Sequence, residues 1–148
     1  MATARPLWVC PECGRRFANA NQTHACGALD LAHHFEGRSQ AVRATYAAFV
    51  VLLEENGPVT VLPEQTRIAF QVRMSFAAIM TRCGYLRGHL VLARRCEAAC
   101  FAKVESYSPR NHLHAFELRD AAQLRGKMSN FIAEAYRVGC QEHLRHTD

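Results

Sequence analysis

The sequence predicts an α+β fold, an antiparallel sheet of about five strands packed against an N-terminal and a C-terminal helix, preceded by a small cysteine-bearing module. Three observations carry this. Apolar residues recur at helical spacing only over residues 39–56 and 121–141. Between those stretches lie short alternating or β-rich runs punctuated by Gly and Pro, the signature of hairpin-linked strands. Before residue 27, periodicity is absent, and Cys, Asn, Arg and Gly dominate. Strands joined by hairpins and flanked by terminal helices imply a sheet covered on one face. The boundary near residue 27 divides the chain into a module at 1–27 and a larger domain at 28–148, with no internal repeat or low-complexity linker.

Taken in order, Leu29 to Phe35 reads as a short helical turn. Ser39 can cap a helix running to about Asn56, in which Val42, Tyr46, Phe49, Val50 and Leu53 share one face. Asn56-Gly57-Pro58 stops it. Val59 to Leu62 is β-rich and ends at Pro63. In Arg67 to Arg73, Ile68, Phe70 and Val72 alternate with polar residues, as in a half-buried strand. Phe76 to Thr81 and Leu86 to Ala93 flank a turn through Gly84. Phe101 to Ser106 is a weaker strand, and His112 to Leu118 alternates with His112, His114, Phe116 and Leu118 on one side. One helix from about Ala121 to Gln141 closes the chain, with Asp120 and Gln123 spaced as a capping box.

The most specific motif is Cys10-Pro11-Glu12-Cys13-Gly14. A two-residue gap lets both thiolates of a tight turn reach one cation, and Gly14 falls where such a turn needs a positive φ. His24 and Cys26 follow after ten residues. Three thiolates and one imidazole complete a tetrahedral set, so Cys10, Cys13, His24 and Cys26 are expected to hold one structural Zn2+. His33 and His34 are alternative fourth ligands. A filled ligand set leaves no position for a catalytic water. The spacing fits a ribbon or knuckle, not a groove-reading finger.

The net charge of +5 is unevenly spread: residues 65–119 hold eight Arg and one Lys against three Glu, a surplus of +6. Sixteen of the eighteen cationic residues are Arg, whose planar fork grips phosphates in a bidentate way. Arg67, Arg73, Arg87, Arg94 and Arg95, with Arg15 and Arg16 of the zinc module, are candidate nucleic-acid contacts, and Trp8 and Phe17 can stack bases. A solvated face whose arginines keep sheet edges from pairing, or a protein-interaction and oligomerisation surface, explains the same residues.

No run approaches the ~18 apolar residues of a membrane span, and residues 1–8 lack the apolar core of a secretory signal. The expected location is the cytoplasm, where seven cysteines, an odd number, stay reduced. Cys96, Cys100, His112 and His114 suit either a second metal site or buried packing. Nucleophile elbows, phosphate-binding loops, dinucleotide fingerprints and paired catalytic carboxylates are absent from the sequence, so a non-enzymatic binding protein is expected.

The pattern of Trp8, Cys10-Pro11, Cys13-Gly14-Arg15, Phe17, Asn21-Gln22, His24 and Cys26 resembles bacterial proteins that carry a short zinc-ribbon head on domain of unknown function 5655. Phe35, Gly57-Pro58-Val59, Ile68-Ala69-Phe70, Phe76-Ala77, Leu90, His114 and Ala133-Glu134-Ala135-Tyr136 extend the resemblance over residues 7–140. It implies the zinc ligands and a body similar to frataxin-like helix–sheet–helix domains, some of which are iron chaperones. Metal handling is therefore an alternative function. Iron chaperoning of that kind uses an acidic ridge, however, and the first helix here offers only Glu54 and Glu55 at its end.

Overall fold

The computed structural model describes residues 6–11, 14, 16–18 and 31–145, so Cys13, Arg15, His24 and Cys26 lie outside the described residues. After a one-turn 3-10 helix at Leu31–Phe35, helix α1 spans Gln40–Glu54. The Ser39 hydroxyl accepts from the Val42 amide at 3.3 Å, satisfying one of the amides a helix start leaves unpaired. Val42, Tyr46, Phe49 and Leu53 form the buried stripe that the periodicity predicts.

A two-stranded hairpin, β1 (Trp8–Val9) and β2 (Arg16–Phe17), precedes the main sheet. The main sheet has six strands where about five were expected: β3 (Thr60–Pro63), β4 (Ile68–Gln71), β5 (Ser75–Thr81), β6 (Leu86–Leu92), β7 (Lys103–Ser108) and β8 (Asn111–Leu118). They lie in the order β3-β4-β5-β6-β8-β7, and every pairing is antiparallel. Pro63 ends β3 at the sheet margin, where its missing donor costs no ladder bond.

Both long helices pack on one face. Ile68, Phe70, Ile79, Leu86, Leu90 and Phe116 share that face by register and are buried with the α1 stripe. The rings of Phe70 and Phe116 lie 5.5 and 6.0 Å from that of Phe49, within the range of favourable aromatic pairs. Gly88 sits mid-strand in β6 between Ile79 and Phe116 of its neighbours, leaving room for both side chains. His112, His114, Phe116 and Leu118 are all buried, as the alternation of β8 predicts.

The closing helix is not continuous. Asp120 and Gln123 form the capping box, but it opens a 3-10 turn at Ala121–Leu124. Arg125 is then extended, Gly126 takes φ 73°, and helix α2 restarts at Lys127–Gly139. Glycine enters that left-handed state without the Cβ penalty, so the chain breaks there although the apolar spacing runs through. A second break at Gln141, φ 61°, precedes α3 (Glu142–Arg145). Met128, Phe131, Ile132, Ala135 and Val138 are buried along α2.

Strand β4 also departs from expectation. The period-two pattern predicts one wet face, yet Ile68, Ala69, Phe70 and Gln71 are all buried. The N-terminal hairpin covers the second face: Cys10 and Phe17 pack on Leu62 and Ala69, with Trp8 against them. The buried Gln71 amide donates to the Arg16 carbonyl. A buried glutamine needs that partner, since an unmade bond costs about 1–3 kcal/mol.

Candidate functional site

Two layers of cover leave one region of the sheet open. Helices occupy one face, and the hairpin occupies the β3–β4 end of the other. Over the rest of that second face lies a trough of about 360 Å³. Alternation places its residues: Met80 of β5, Arg87 and His89 of β6, Leu113, Ala115 and Glu117 of β8, and Lys103 and Glu105 of β7 pair across strands facing away from the helices. Arg67, just before β4, and Tyr107, 68% exposed, complete the lining.

Its exposed rim carries Arg67, Arg87 and Lys103, each set beside a glutamate. Arg67 donates to Glu64 at 2.7 Å, and Lys103 is paired with Glu105, which also accepts from the Tyr107 hydroxyl at 3.2 Å. Each of these pairs is solvent-exposed and so contributes little stability, leaving the cations able to exchange partners. Arg87 stands directly opposite Glu117.

His89 lies half-buried among these residues. Burial first, and the nearby Arg67 charge second, push its pKa down from 6.5 to about 4. The unfolded chain therefore takes up this proton before the folded one. His89 stabilises the fold fully above pH 6.5, and that stability is lost as pH falls toward 4. Burial lowers His114 and His143 in the same direction. The urea midpoint should thus fall between pH 6.5 and 4, and His89→Gln should flatten that fall; an unchanged slope would contradict it.

The structure disperses the other predicted arginines. Arg16 is exposed on β2 of the hairpin and does not line the trough. Arg94 lies on the helix side instead, gripping Glu134 of α2 through two bonds of 3.1 and 3.0 Å. Arg95 donates to the Ser106 hydroxyl and pairs with Glu97. Arg73 reaches Gln141 near the far end of α2. No single patch holds all of them.

The second metal site is not assembled. Cys96 and Cys100 fall on a loop between β6 and β7, so they share no helix face. The His114 Nε2 accepts from the Cys96 amide at 2.9 Å, and its Nδ1 lies 2.9 Å from the His112 carbonyl. His112 uses both nitrogens too, at 2.8 Å to Ser106 and 3.1 Å to the Pro109 carbonyl. Among the described residues no three His, Cys, Asp or Glu side chains cluster as metal ligands.

At the hairpin, a backbone bond ties Gly14 back to Cys10. The Gly14 amide donates to the Cys10 carbonyl at 2.8 Å, and Gly14 takes φ 74°. Cys10 itself is only 4% exposed, against Phe17. The other three expected ligands, Cys13, His24 and Cys26, lie outside the described residues. His34, by contrast, has its carbonyl bonded to Thr81, on the helix-covered face of the sheet opposite Cys10. No helix among the described residues is long and apolar enough to cross a membrane.

Sequence reading did not single out His89, Lys103 or Gln71. The alternation of Arg87 and His89 along β6 carried the signal for the first. Gln71 looked like an ordinary outward polar residue, because its partner lies 55 residues away.

A two-layer α+β domain, its sheet covered by helices on one side and partly by a cysteine-bearing hairpin on the other, is what these elements define. The chain belongs to the domain of unknown function family DUF5655, whose model matches residues 31–139. Neither a curated protein nor a solved structure matches the chain.

Proposed function

We propose that this protein is a nucleic-acid-binding module in which a zinc-held hairpin and the open sheet face form one surface for single-stranded RNA or DNA. The observation that carries this reading is the docking of the hairpin on the same side of the sheet as Arg67, Arg87 and Lys103. Exposed sheet faces suit single strands, since arginine and lysine hold phosphates while aromatic and imidazole rings, here Tyr107 and His89, stack on bases. Zinc at Cys10, Cys13, His24 and Cys26 would cross-link a hairpin too small to hold its own shape.

Two measurements test the reading. Protein purified without added metal should contain one zinc per chain, and Cys13→Ala should lose it while the far-UV dichroism of the body is retained. Absence of zinc in the native chain would remove the metal from the account. Fluorescence anisotropy with a mixed-sequence single strand should show binding that Arg87→Ala weakens about fivefold to tenfold, one lost phosphate contact being on the order of 1 kcal/mol. Arg94→Ala should change it less than twofold, because that guanidinium is held by Glu134 on the other side. Equal effects of the two substitutions would overturn the assignment of the face.

A further inference from the structure

On the opposite side of β7 from the trough, the structure assigns Ser106 as a nucleophile: we propose that its hydroxyl takes the acyl group of small carboxylic esters, with His112 as its base. This site does not rest on the nucleic-acid reading. Ser106 is exposed on β7, directly across from His112 of β8, and its Oγ lies 2.8 Å from the imidazole Nδ1. The roles within that bond are fixed by the rest of the ring. His112 Nε2 lies 3.1 Å from the Pro109 carbonyl, which only accepts, so Nε2 carries the proton and Nδ1 is the acceptor. Ser106 must then donate, which is the arrangement of a hydroxyl with a general base behind it and a third group orienting that base.

Two further features belong to the same constellation. Arg95 Nη1 donates to Ser106 Oγ at 2.8 Å, while its other terminal nitrogen faces Glu97 at 3.5 Å. A guanidinium at that distance stabilises negative charge developing on or beside Oγ. The register of β7 against β8 also shifts between Ser106 and Ser108, and strand bulges of this kind re-aim side chains beside active sites. Ser108, two residues on, shows the contrast. Its Oγ accepts from the Arg110 amide and the Asn111 side chain at 3.3 and 3.2 Å and lies on no imidazole.

The chemistry balances without a cofactor. Oγ attacks the ester carbonyl carbon as its proton passes to His112 Nδ1; the bond to the alcohol oxygen breaks, and that oxygen leaves with the proton. Water, deprotonated by the same nitrogen, then attacks the acyl-serine and releases the carboxylic acid, restoring the hydroxyl. His112 is 8% exposed, so its role is local and its ring is held against rotation from both ends.

The test is labelling of the full chain with a fluorophosphonate probe, in which Oγ displaces fluoride from phosphorus, followed by peptide mapping. One label per chain on Ser106, none in Ser106→Ala, and at least tenfold slower labelling in His112→Gln are expected, with Ser108 unlabelled. Far-UV dichroism checks that His112→Gln is folded; if it is not, Arg95→Ala, an exposed substitution, should still slow labelling several-fold. A chain in which Ser106 is not labelled, or is labelled no faster than Ser108, overturns the proposal.

Discussion

Phe49→Ala is expected to lower the unfolding free energy by about 3–5 kcal/mol, the usual cost of deleting a buried phenyl ring and leaving its cavity. Phe49 is fully buried on α1, and its ring meets Phe70 of β4 and Phe116 of β8 at once. It therefore ties the first helix to strands three positions apart in the sheet. For a domain of this size the change corresponds to a melting temperature lower by about 10 °C. Chemical denaturation with an unchanged slope checks it. Val51→Ala on the same helix, 57% exposed, should stay within about 0.5 kcal/mol. Similar losses at the two positions would mean that α1 does not present the Phe49 stripe to the sheet.

Gly88→Ala should cost about 2–3 kcal/mol although it adds a single methyl, because the site is overpacked by it. A Cβ at Gly88 would stand 2.7 Å from the Ala78 carbonyl oxygen and 2.7 Å from the Phe116 ring, with Ile79 at 2.8 Å. The carbonyl belongs to the β5–β6 ladder and cannot yield without breaking strand pairing. A second substitution, Phe116→Leu, should recover part of the loss by vacating the ring's volume. Gly84→Ala in the β5–β6 turn, where an added methyl meets nothing within 4 Å, serves as the control. If Gly88→Ala were as stable as the native chain, the packing of β6 between Ile79 and Phe116 would be wrong.

Those two sites mark what the sequence made legible. The α1 stripe, the alternation of β8 and the hairpin through residues 82–85 follow from periodicity, which is a local property of the chain. The break at Gly126 does not, since an apolar face at helical spacing continues across it, whereas the end near Gln141 falls where the apolar face stops. The burial of Ala69 and Gln71 was equally hidden, because it depends on where the hairpin of β1 and β2 docks. The arginines show the same limit. Composition revealed their surplus between 65 and 119, but pairing of Arg94 with Glu134 across 40 residues divides them between two sides of the sheet.

The same division gives the candidate sites their separation. Adjacent residues of one edge strand point to opposite faces, so Glu105 and Tyr107 line the trough while Ser106 faces His112. A substitution at Ser106 should leave binding at the trough unchanged, and one at Arg87 should leave Ser106 reactivity unchanged.

In the proposed complex, Arg67 and Arg87, on the face shared with the hairpin, hold the phosphates of a single strand. The measurement that tests it most directly is the salt dependence of single-strand affinity for the native chain and for Arg67→Ala/Arg87→Ala. A log–log slope shallower by roughly 1.4 is expected in the double variant, two phosphate contacts at about 0.7 each. A native chain with no salt-dependent affinity, or a double variant with the native slope, would contradict it.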